Sequence, residues 1–202
     1  MRTAHGADAL DVGAEAVVFL GAGRPLERIG VPSVVLRPGE ALVAVELVTL
    51  CPDDVRILTG AEPTRGPLVL GHEQIGRIVA VAALRRPRGV DGRRLAVGDR
   101  VVWAAGVAGH RYGHDRVERG WELSGGCATH VQLLARTPVM RIAEDAPALP
   151  IAAASCGTFT AEQLLDAVGS ASGPAFAPEY ALRDAELAFA ARMGGVRVVL
   201  RP

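Results

Sequence analysis

The apolar residues of this chain fall in short runs that are rich in valine and are interrupted by glycine and proline. Such runs are typical of β-strands, and turn residues such as Pro38-Gly39 and Gly98-Asp99 separate them. The predicted strands span residues 16–20, 33–36, 41–50, 75–84, 100–103, 128–134 and 196–200. Because long helical segments do not alternate with them, the pattern favours a β-barrel or sandwich over repeated strand–helix–strand units.

Helical patterns are few and lie late in the chain. Residues 148–154 could form a helical turn or a short helix, and we predict further helices over 160–168 and 182–193. Thr160 is a suitable N-cap for the second helix, and Gly169 is a suitable C-terminal stop. The predicted fold class is therefore mainly β, of the α+β type, with two or three helices.

The charges of the chain balance, with 22 basic and 22 acidic residues. A neutral chain matches neither a nucleic acid nor an anionic membrane, so neither is predicted as a partner. All basic residues are arginines, which excludes a Schiff-base lysine and a phosphate-binding loop of the G-x-x-x-x-G-K-[ST] type. Three cysteines form no disulfide framework, and neither a signal-peptide core nor a membrane-spanning run is present. We therefore expect a cytoplasmic protein with free thiols.

Several features are interpreted as structural. Gly21-Ala22-Gly23 follows a strand, but Leu26 replaces the third glycine of a dinucleotide-binding motif. The arginine-rich residues 85–94 are interpreted as a solvated loop. Ordinary core or turn positions are predicted for Cys127, Trp121 and Glu122. His110 and His114 are interpreted as solvated loop residues, with lining of a cleft as the alternative, and His130 could face either side of its strand.

Two short segments carry residue types that bind metals. Cys51 and Asp54 follow one predicted strand, and Gly71-His72-Glu73 begins another. Thiolate, imidazole and carboxylate groups are all good ligands for Zn²⁺. Consecutive strand side chains point to opposite faces, so only a local distortion would let His72 and Glu73 face the same ion. On the residues alone, the alternative is that these are unrelated core residues.

Three motifs, Cys-x-x-Asp at 51–54, Gly-His-Glu at 71–73 and Val-Gly-Asp-Arg-Val at 97–101, together resemble the zinc-dependent medium-chain alcohol dehydrogenases. Residues 112–126 and Ala-Thr-His-Val at 128–131 are similar to a branch known as phosphonate-associated alcohol dehydrogenases. Ala-Ala-Ala-Ser-Cys at 152–156 is similar to the segment that brings the family's third ligand side chain to zinc. The resemblance covers residues 15–168 and a C-terminal tail, and it implies a GroES-like irregular β-barrel.

The resemblance implies one catalytic zinc ion with an open coordination position. The implied metal ligands are Cys51, His72, Glu73 and Cys156, with Glu73 alternating with water or substrate. Asp54 would orient the imidazole of His72. Asp53 stands where the family has a serine or threonine that starts a proton relay; its carboxylate could accept a proton, compete for the metal or be a solvated turn residue. The implied catalytic residues are Asp53, Asp54 and Glu73.

Two parts of the family's pattern are missing from the sequence. Residues 104–109 contain no cysteine where the family has a four-cysteine lobe, so no structural zinc is predicted. After Cys156 the family continues into a Rossmann domain, whereas residues 180–200 here already resemble the family's C-terminus. We therefore predict no Rossmann domain and no NAD(P) binding by this chain alone. The implied organisation is a lead (1–14), a zinc-binding GroES-like domain (15–169), a loop in place of the cofactor domain (170–178) and a helix and strand returning to the same domain (179–202).

Three functions follow from this combination. The first is a zinc Lewis-acid site that performs non-redox chemistry on a small oxygenated substrate. The second is half of an alcohol dehydrogenase, an oxidoreductase that takes its nucleotide domain from a partner. The third is a non-catalytic remnant or binding module. Loss of the cofactor domain should also expose an apolar surface near residues 157–180, which a second copy or a partner protein would cover.

Overall fold

In the computed structural model of the chain, the described residues are 10–31, 33–63, 67–105, 125–158, 160–173 and 177–202. Their strands are β1 (Ala14–Phe19), β2 (Glu27–Val31), β3 (Ala41–Thr49), β4 (Leu68–Val69), β5 (Glu73–Val81), β6 (Arg100–Trp103), β7 (His130–Leu133), β8 (Val139–Arg141), β9 (Glu179–Ala181) and β10 (Val199–Arg201). Their helices are α1 (Pro52–Leu58), α2 (Ala148–Ala154), α3 (Ala161–Gly169) and α4 (Ala185–Met193), with a 3-10 turn at Leu182–Asp184. The predictions for His110, His114, Trp121 and Glu122 lie outside the described residues.

The larger of two sheets carries the candidate site. Its strand order is β8-β6-β5-β3-β10-β9, and β7 pairs with the first half of β3. At its centre β3 and β5 form an antiparallel pair whose register shifts twice. Beside one shift lies Gly76, where a Cβ would be 2.3 Å from the carbonyl oxygen of Ala44, so glycine lets the strands approach. At one end of this pair Thr49 lies opposite Glu73.

The smaller sheet has the order β2-β1-β4 and meets the larger one through an isolated bridge between Ala16 and Ala128. Within the described residues this bridge does not close a barrel, because β8 and β9 remain the edges of the larger sheet. The mainly β, α+β fold class is confirmed, and its sheets are open.

The C-terminal segment returns to the sheet that carries the site. Leu200 of β10 pairs with Val48 near the end of β3. β9 and β10 are the single parallel pair in the described part of the chain, and α4 connects them. With three residues in each strand, this unit is far smaller than a doubly wound nucleotide-binding domain.

Most long apolar runs form strands as predicted, and the short strands differ. Runs 16–20, 41–50, 75–84, 100–103 and 128–134 correspond to β1, β3, β5, β6 and β7. Run 33–36 is not a strand, because only Val34 forms a bridge, to Leu10. The last strand is shorter and later than predicted, over Val199–Arg201. β2, β4, β8 and β9 are not among the predictions because two to five residues hardly display a period of two.

The described residues contain four α-helices where two or three are predicted. The additional helix is α1, whose seven residues are too few to show helical periodicity. Pro52 opens it, and the carboxylate of Asp54 accepts a hydrogen bond from the backbone N–H of Cys51 in a capping arrangement. The capping box of Thr160 and Gln163 confirms the predicted start of α3. The helix predicted over 182–193 divides into the 3-10 turn and α4.

Two apolar clusters hold the helices beside the end of β3. Phe189 of α4 packs in one cluster with Leu50 and Ile57, and Leu164 of α3 packs in another with Ile75 of β5. Complete burial of each such side chain contributes about 1.5–3 kcal/mol. Nε of Arg192 also donates a hydrogen bond to the carbonyl of Leu50 at 2.7 Å, which fixes α4 to this end of the sheet. Among the described helices, none has the length and apolar character needed to cross a bilayer.

Candidate metal centre

Four potential metal ligands meet at the end of the β3–β5 pair. One donor atom of each lies within 4.8 Å of the donor atoms of the others: Cys51, His72, Glu73 and Cys156. The sulfurs of Cys51 and Cys156 are 3.3 Å apart, and Sγ of Cys156 is 3.8 Å from Nε2 of His72. Cys156 is the one member that is partly accessible, whereas the other three are buried.

Irregular backbone at Gly71 brings His72 and Glu73 to the same side. Gly71 has a φ of +85°, and a Cβ there would lie 2.8 Å from Cγ2 of Val48 and 3.1 Å from Sγ of Cys127. Glycine is therefore required by both the backbone conformation and the close packing. Because β5 begins at Glu73, His72 lies outside the regular strand. This irregular backbone is the local distortion that lets the side chains of His72 and Glu73 face the same ion.

The remaining two ligands come from the ends of helices. Cys51 is the N-cap residue of α1, immediately after the chain leaves β3. Cys156 lies in the turn that follows α2, where its backbone N–H donates to the carbonyl of Ala153. The packing of α2 on β3 and β5 places this turn beside Cys51, although the two cysteines are 105 positions apart.

Asp54 connects the segments that carry Cys51 and His72. Its side chain is fully buried and accepts hydrogen bonds from the backbone N–H of Cys51 at 2.8 Å and of Gly71 at 2.9 Å. Oδ1 also lies 3.3 Å from Nδ1 of His72. An ionised carboxylate only accepts, so Nδ1 donates and Nε2 is directed toward the cysteines.

Glu73 has two partners that the sequence does not identify. The hydroxyl of Thr49 donates to its Oε2, and Nη1 of Arg197 lies 3.8 Å from the same oxygen. Burial raises the pKa of Glu73 to about 7, although the hydrogen bond from Thr49 opposes this shift. The register of β3 against β5 brings Thr49 to Glu73, and the returning C-terminal segment brings Arg197. Neither pairing has a signal in a local motif.

The close approach of the two thiols separates their pKa values. Hydrogen bonding with Cys156 lowers the pKa of Cys51 to about 4, against the effect of burial. The same hydrogen bond, together with burial, raises the pKa of Cys156 well above the ordinary thiol value. Burial opposes protonation of His72, but the charge and hydrogen bond of Asp54 raise its pKa to about 10. In the metal-free protein a thiolate, a thiol and an imidazolium thus lie together at neutral pH.

The remaining candidates lie outside this group. Asp53 is in the first turn of α1, and its Oδ1 lies 3.8 Å from Nη1 of Arg56. Cys127 is fully buried against Gly71, and burial raises the pKa of its thiol well above the ordinary value. Burial lowers the pKa of His130, whose Nδ1 lies 2.9 Å from Oγ1 of Thr129. The structure therefore brings together four of the predicted site residues with Asp54 behind them, and it leaves Asp53 aside.

The donor set fits a zinc ion. Two sulfurs, one imidazole nitrogen and a carboxylate oxygen are ligands that zinc accepts, and a tetrahedral ion with Zn–S bonds of about 2.3 Å separates ligating sulfurs by about 3.8 Å. The observed 3.3 Å between the sulfurs requires only a small side-chain adjustment. The partial exposure of Cys156 leaves a side from which a small molecule could approach.

Comparison with known protein families shows to which family the chain belongs. Residues 37–144, more than half of it, match the alcohol dehydrogenase GroES-like domain. The chain belongs to this alcohol dehydrogenase family. The matched range contains Cys51, His72 and Glu73 but not Cys156, whose place beside them depends on the packing of α2.

Solved structures of family members have the same fold. An alcohol dehydrogenase from Thermotoga maritima is 26% identical with a TM-score of 0.64, and the match covers 71% of this chain and 44% of that one. A benzyl alcohol dehydrogenase from Acinetobacter calcoaceticus is 22% identical with a TM-score of 0.55, covering 71% of this chain and 45% of that one. The chain thus spans less than half the length of these proteins. A comparison with curated protein sequences finds no match.

Proposed function

We propose that this member of the alcohol dehydrogenase family binds one zinc ion and uses it on a small oxygenated substrate without a nucleotide domain of its own. Cys51, His72 and Cys156 would hold the ion, and Glu73 would be the exchangeable fourth ligand. The observation that carries the proposal is the convergence of these four donors, from three separate segments, within 4.8 Å.

The surrounding residues have defined tasks in this proposal. A bound zinc ion would act as a Lewis acid that polarises a substrate oxygen. Asp54 fixes the imidazole of His72 through Nδ1 and thereby keeps Nε2 directed at the site. Thr49 and Arg197 hold Oε2 of Glu73, and a carboxyl group with a pKa near 7 can accept or release a proton at neutral pH.

The short connection between α3 and β9 supports chemistry other than hydride transfer. Only residues 170–178 join these two elements, and β10 then pairs with β3 beside the site. A doubly wound cofactor domain does not fit into such a connection. Hydration, elimination, isomerisation or hydrolysis needs only the polarising site, so these reactions are compatible with the chain alone.

Family membership favours a second candidate, half of an oxidoreductase. The matched family model is that of an alcohol dehydrogenase domain, and one neighbour, acetophenone reductase from Geotrichum candidum, is described in complex with NAD. In this case another polypeptide would supply the nucleotide domain, and the present chain would supply the substrate and metal side of the site.

Metal content tests the zinc site first. The protein is purified without chelators and its zinc is measured by elemental mass spectrometry, together with that of Cys51→Ser/Cys156→Ser. Cys127→Ser is the matched control, because Cys127 is buried nearby but is not a member of the donor group. We expect about one zinc per chain in wild type and control and none in the double variant. A folded wild-type chain without zinc would contradict the proposal.

Cofactor dependence separates the two candidate functions. Zinc-loaded protein is incubated with a panel of small alcohols, aldehydes and hydroxy acids, with and without NAD(P), and products are identified by mass spectrometry. Turnover without nicotinamide that disappears in Cys51→Ser supports the first candidate. Binding of NADH, seen as enhanced cofactor fluorescence, or turnover only with NAD(P) and a partner fraction would support the second.

We also propose that a second copy or a partner protein covers the surface near residues 157–180. Among the described residues of this segment, Leu165 of α3 is the large apolar side chain that is exposed, at 42%. Sedimentation of wild type and Leu165→Glu would test it: a dimer that dissociates in the variant supports self-association through α3. A wild-type chain that sediments as a monomer and is isolated from cell extract without another protein would contradict both self-association and partner binding.

A further inference from the structure

A cavity of about 560 Å³ lies at the opposite end of the β3–β5 pair from the candidate metal centre. Its lining consists of Gly39, residues 83–88, Arg94 and Ala135. Gly39 precedes β3 and residues 83–88 follow β5, whereas Cys51 follows β3 and His72 precedes β5. Nine strand residues at about 3.3 Å each separate the two ends, so the cavity is about 30 Å from the metal centre.

Four arginines line this space, which we call the arginine cavity: Arg85, Arg86, Arg88 and Arg94. Within the described part of the chain, none of the four forms an ion pair with a carboxylate. Other arginines do, as in the bidentate pair of Arg77 with Glu144. Since the whole chain is neutral, the cavity is a local concentration of positive charge that nearby acids do not balance.

The acidic groups nearest in sequence are engaged elsewhere. Asp91 lies 3.9 Å from Arg93, which does not line the cavity, and Asp99 pairs with Arg141 at 3.0 Å. Glu40 is buried and accepts hydrogen bonds from the backbone of Arg37 and from Gln132. These contacts keep the carboxylates from neutralising the arginine cavity.

The loop that carries the arginines is held by backbone hydrogen bonds. The N–H of Gly39 donates to the carbonyl of Arg85 at 2.6 Å, and the N–H of Leu95 donates to Pro87 at 3.0 Å. Arg88 and Arg94 form an isolated β-bridge, and the N–H of Val90 donates to Val139 of β8 at 2.8 Å. The arginine backbones are thus positioned before a ligand arrives, which lowers the entropic cost of binding.

Gly39 keeps the floor of the cavity open. Its φ is +89°, and a Cβ there would lie 2.8 Å from Cβ of Ala135 and 3.3 Å from Nη2 of Arg85. Any side chain at this position would therefore push the guanidinium of Arg85 aside. Glycine at this turn therefore leaves room for the guanidinium of Arg85 beside the cavity.

We propose that the arginine cavity binds a small molecule that carries a diphosphate group. Guanidinium groups form paired hydrogen bonds with phosphate oxygens, and four of them suffice for two phosphates. The volume is within the range of small-ligand sites. Leu84, 83% exposed at the edge, offers an apolar contact for an organic portion of the ligand. The concave shape and neutral chain favour a small ligand over a nucleic acid. This inference does not rest on the proposed zinc chemistry.

Equilibrium dialysis with radiolabelled inorganic pyrophosphate tests the proposal on the full chain at low salt. The test variant is Arg85→Gln/Arg86→Gln, and the matched control is Arg24→Gln/Arg28→Gln, which removes the same charge from exposed positions elsewhere. We expect saturable binding of about one pyrophosphate per chain, weakened about tenfold or more in the test variant and unchanged in the control. Circular dichroism checks that both variants remain folded, and Arg94→Gln is a second test variant at an independent lining position.

Each outcome decides the proposal. Absent or non-saturable binding overturns it, and so does equal loss in the test and control variants, which would indicate general charge attraction. Binding that survives both Arg85→Gln/Arg86→Gln and Arg94→Gln would lie elsewhere on the protein, for example at the metal centre, and would also overturn it. Stronger binding of ADP than of pyrophosphate, lost in the same variant, supports a nucleotide ligand, and equal binding supports the free diphosphate. Binding of duplex DNA or anionic vesicles without binding of pyrophosphate overturns it as well.

Discussion

Oδ1 of Asp54 lies 3.3 Å from Nδ1 of His72, and both side chains are almost completely buried. The same carboxylate accepts hydrogen bonds from the backbone of Cys51 and Gly71. A single side chain therefore fixes the start of α1, the turn before β5 and the orientation of an imidazole. This arrangement couples the local fold to the geometry of the candidate metal centre.

Asp54→Asn should weaken zinc binding while leaving the chain folded. The amide cannot accept from all three donors, so the imidazole loses its fixed orientation, and such outer partners typically contribute 10–100-fold to metal affinity. We expect the zinc dissociation constant, measured by competition with a chromophoric chelator, to rise by about that factor.

Asp53→Asn is the matched control for this change, because it removes the same charge one position earlier in α1. Its carboxylate lies beside Arg56 and outside the donor group, so zinc affinity should be unchanged. A loss of affinity in Asp53→Asn equal to that in Asp54→Asn would show that general charge near the site, rather than the Asp54–His72 contact, matters.

Gly71→Ala should destabilise the protein and lower its zinc content. A non-glycine residue at a φ of +85° costs about 1–2 kcal/mol, and the new Cβ would also lie 2.8 Å from Val48. We expect thermal unfolding at a Tm lower by about 5 °C or more. Gly23→Ala is the control, since Gly23 has a φ of +78° and nothing within 4 Å of a Cβ. A similar Tm and zinc content in the two variants would contradict the role of close packing at Gly71.

The local part of the site could be predicted from the sequence, and its tertiary part could not. Cys51 with Asp54 and Gly71 with His72 lie within short motifs, and the need for a distortion before Glu73 follows from the alternation of a strand. Cys156 is 105 positions from Cys51, so only family resemblance linked them before the packing of α2 was known. Thr49 and Arg197 reach Glu73 through the register of β3 and the return of the C-terminal segment, neither of which has a local signal.

The same distinction applies to the fold. The long strands β3 and β5 were predictable because nine residues display the apolar pattern, whereas β4 contains two residues and exists only through its pairing with β1. Helix α1 is formed by a cap rather than by periodicity, since Asp54 binds the backbone of Cys51. β4 is therefore determined by tertiary pairing, whereas α1 depends on a local cap that hydrophobic periodicity does not show.

Zinc binding should release about two protons per ion in the weakly alkaline range, where Glu73, whose pKa is about 7, is already ionised. In the metal-free protein the pKa of Cys51 is about 4, that of Cys156 is well above the ordinary value and that of His72 is about 10. Cys51 therefore contributes no proton, whereas the thiol of Cys156 and Nε2 of His72 each lose one. In this range the apparent affinity should accordingly fall about a hundredfold for each unit by which the pH is lowered.

Calorimetric titration in buffers of different ionisation enthalpy measures the number of protons released per zinc ion. If the two thiols and the imidazole had their ordinary pKa values, zinc binding near pH 9 would release about one proton or fewer. Titration at this pH therefore distinguishes ordinary from shifted pKa values. Release of about one proton there would contradict the shifted pKa values of Cys156 and His72. Cys127→Ser should leave the number unchanged, because Cys127 is not in the donor group.

Arg100→Met should destabilise the larger sheet without affecting the metal centre directly. Arg100 is 5% exposed, forms two hydrogen bonds with Glu46 and donates to the carbonyls of Ala143, Glu144 and Ala146. Removing it leaves these acceptors and a carboxylate without their partner. Loss of one member of a fully buried pair costs about 3–5 kcal/mol, and because Glu46 is one-third exposed we expect about 2–3 kcal/mol.

Arg77→Met is the matched control, because Arg77 also forms a bidentate pair, with Glu144, but on the exposed surface of the same sheet. Solvent screens such a pair, so its loss should leave the Tm close to that of the wild type. Arg100→Met should lower the Tm by about 5–10 °C in the same scan. Equal effects of the two substitutions would mean that burial of Arg100 and its three carbonyl contacts contribute nothing beyond a surface ion pair.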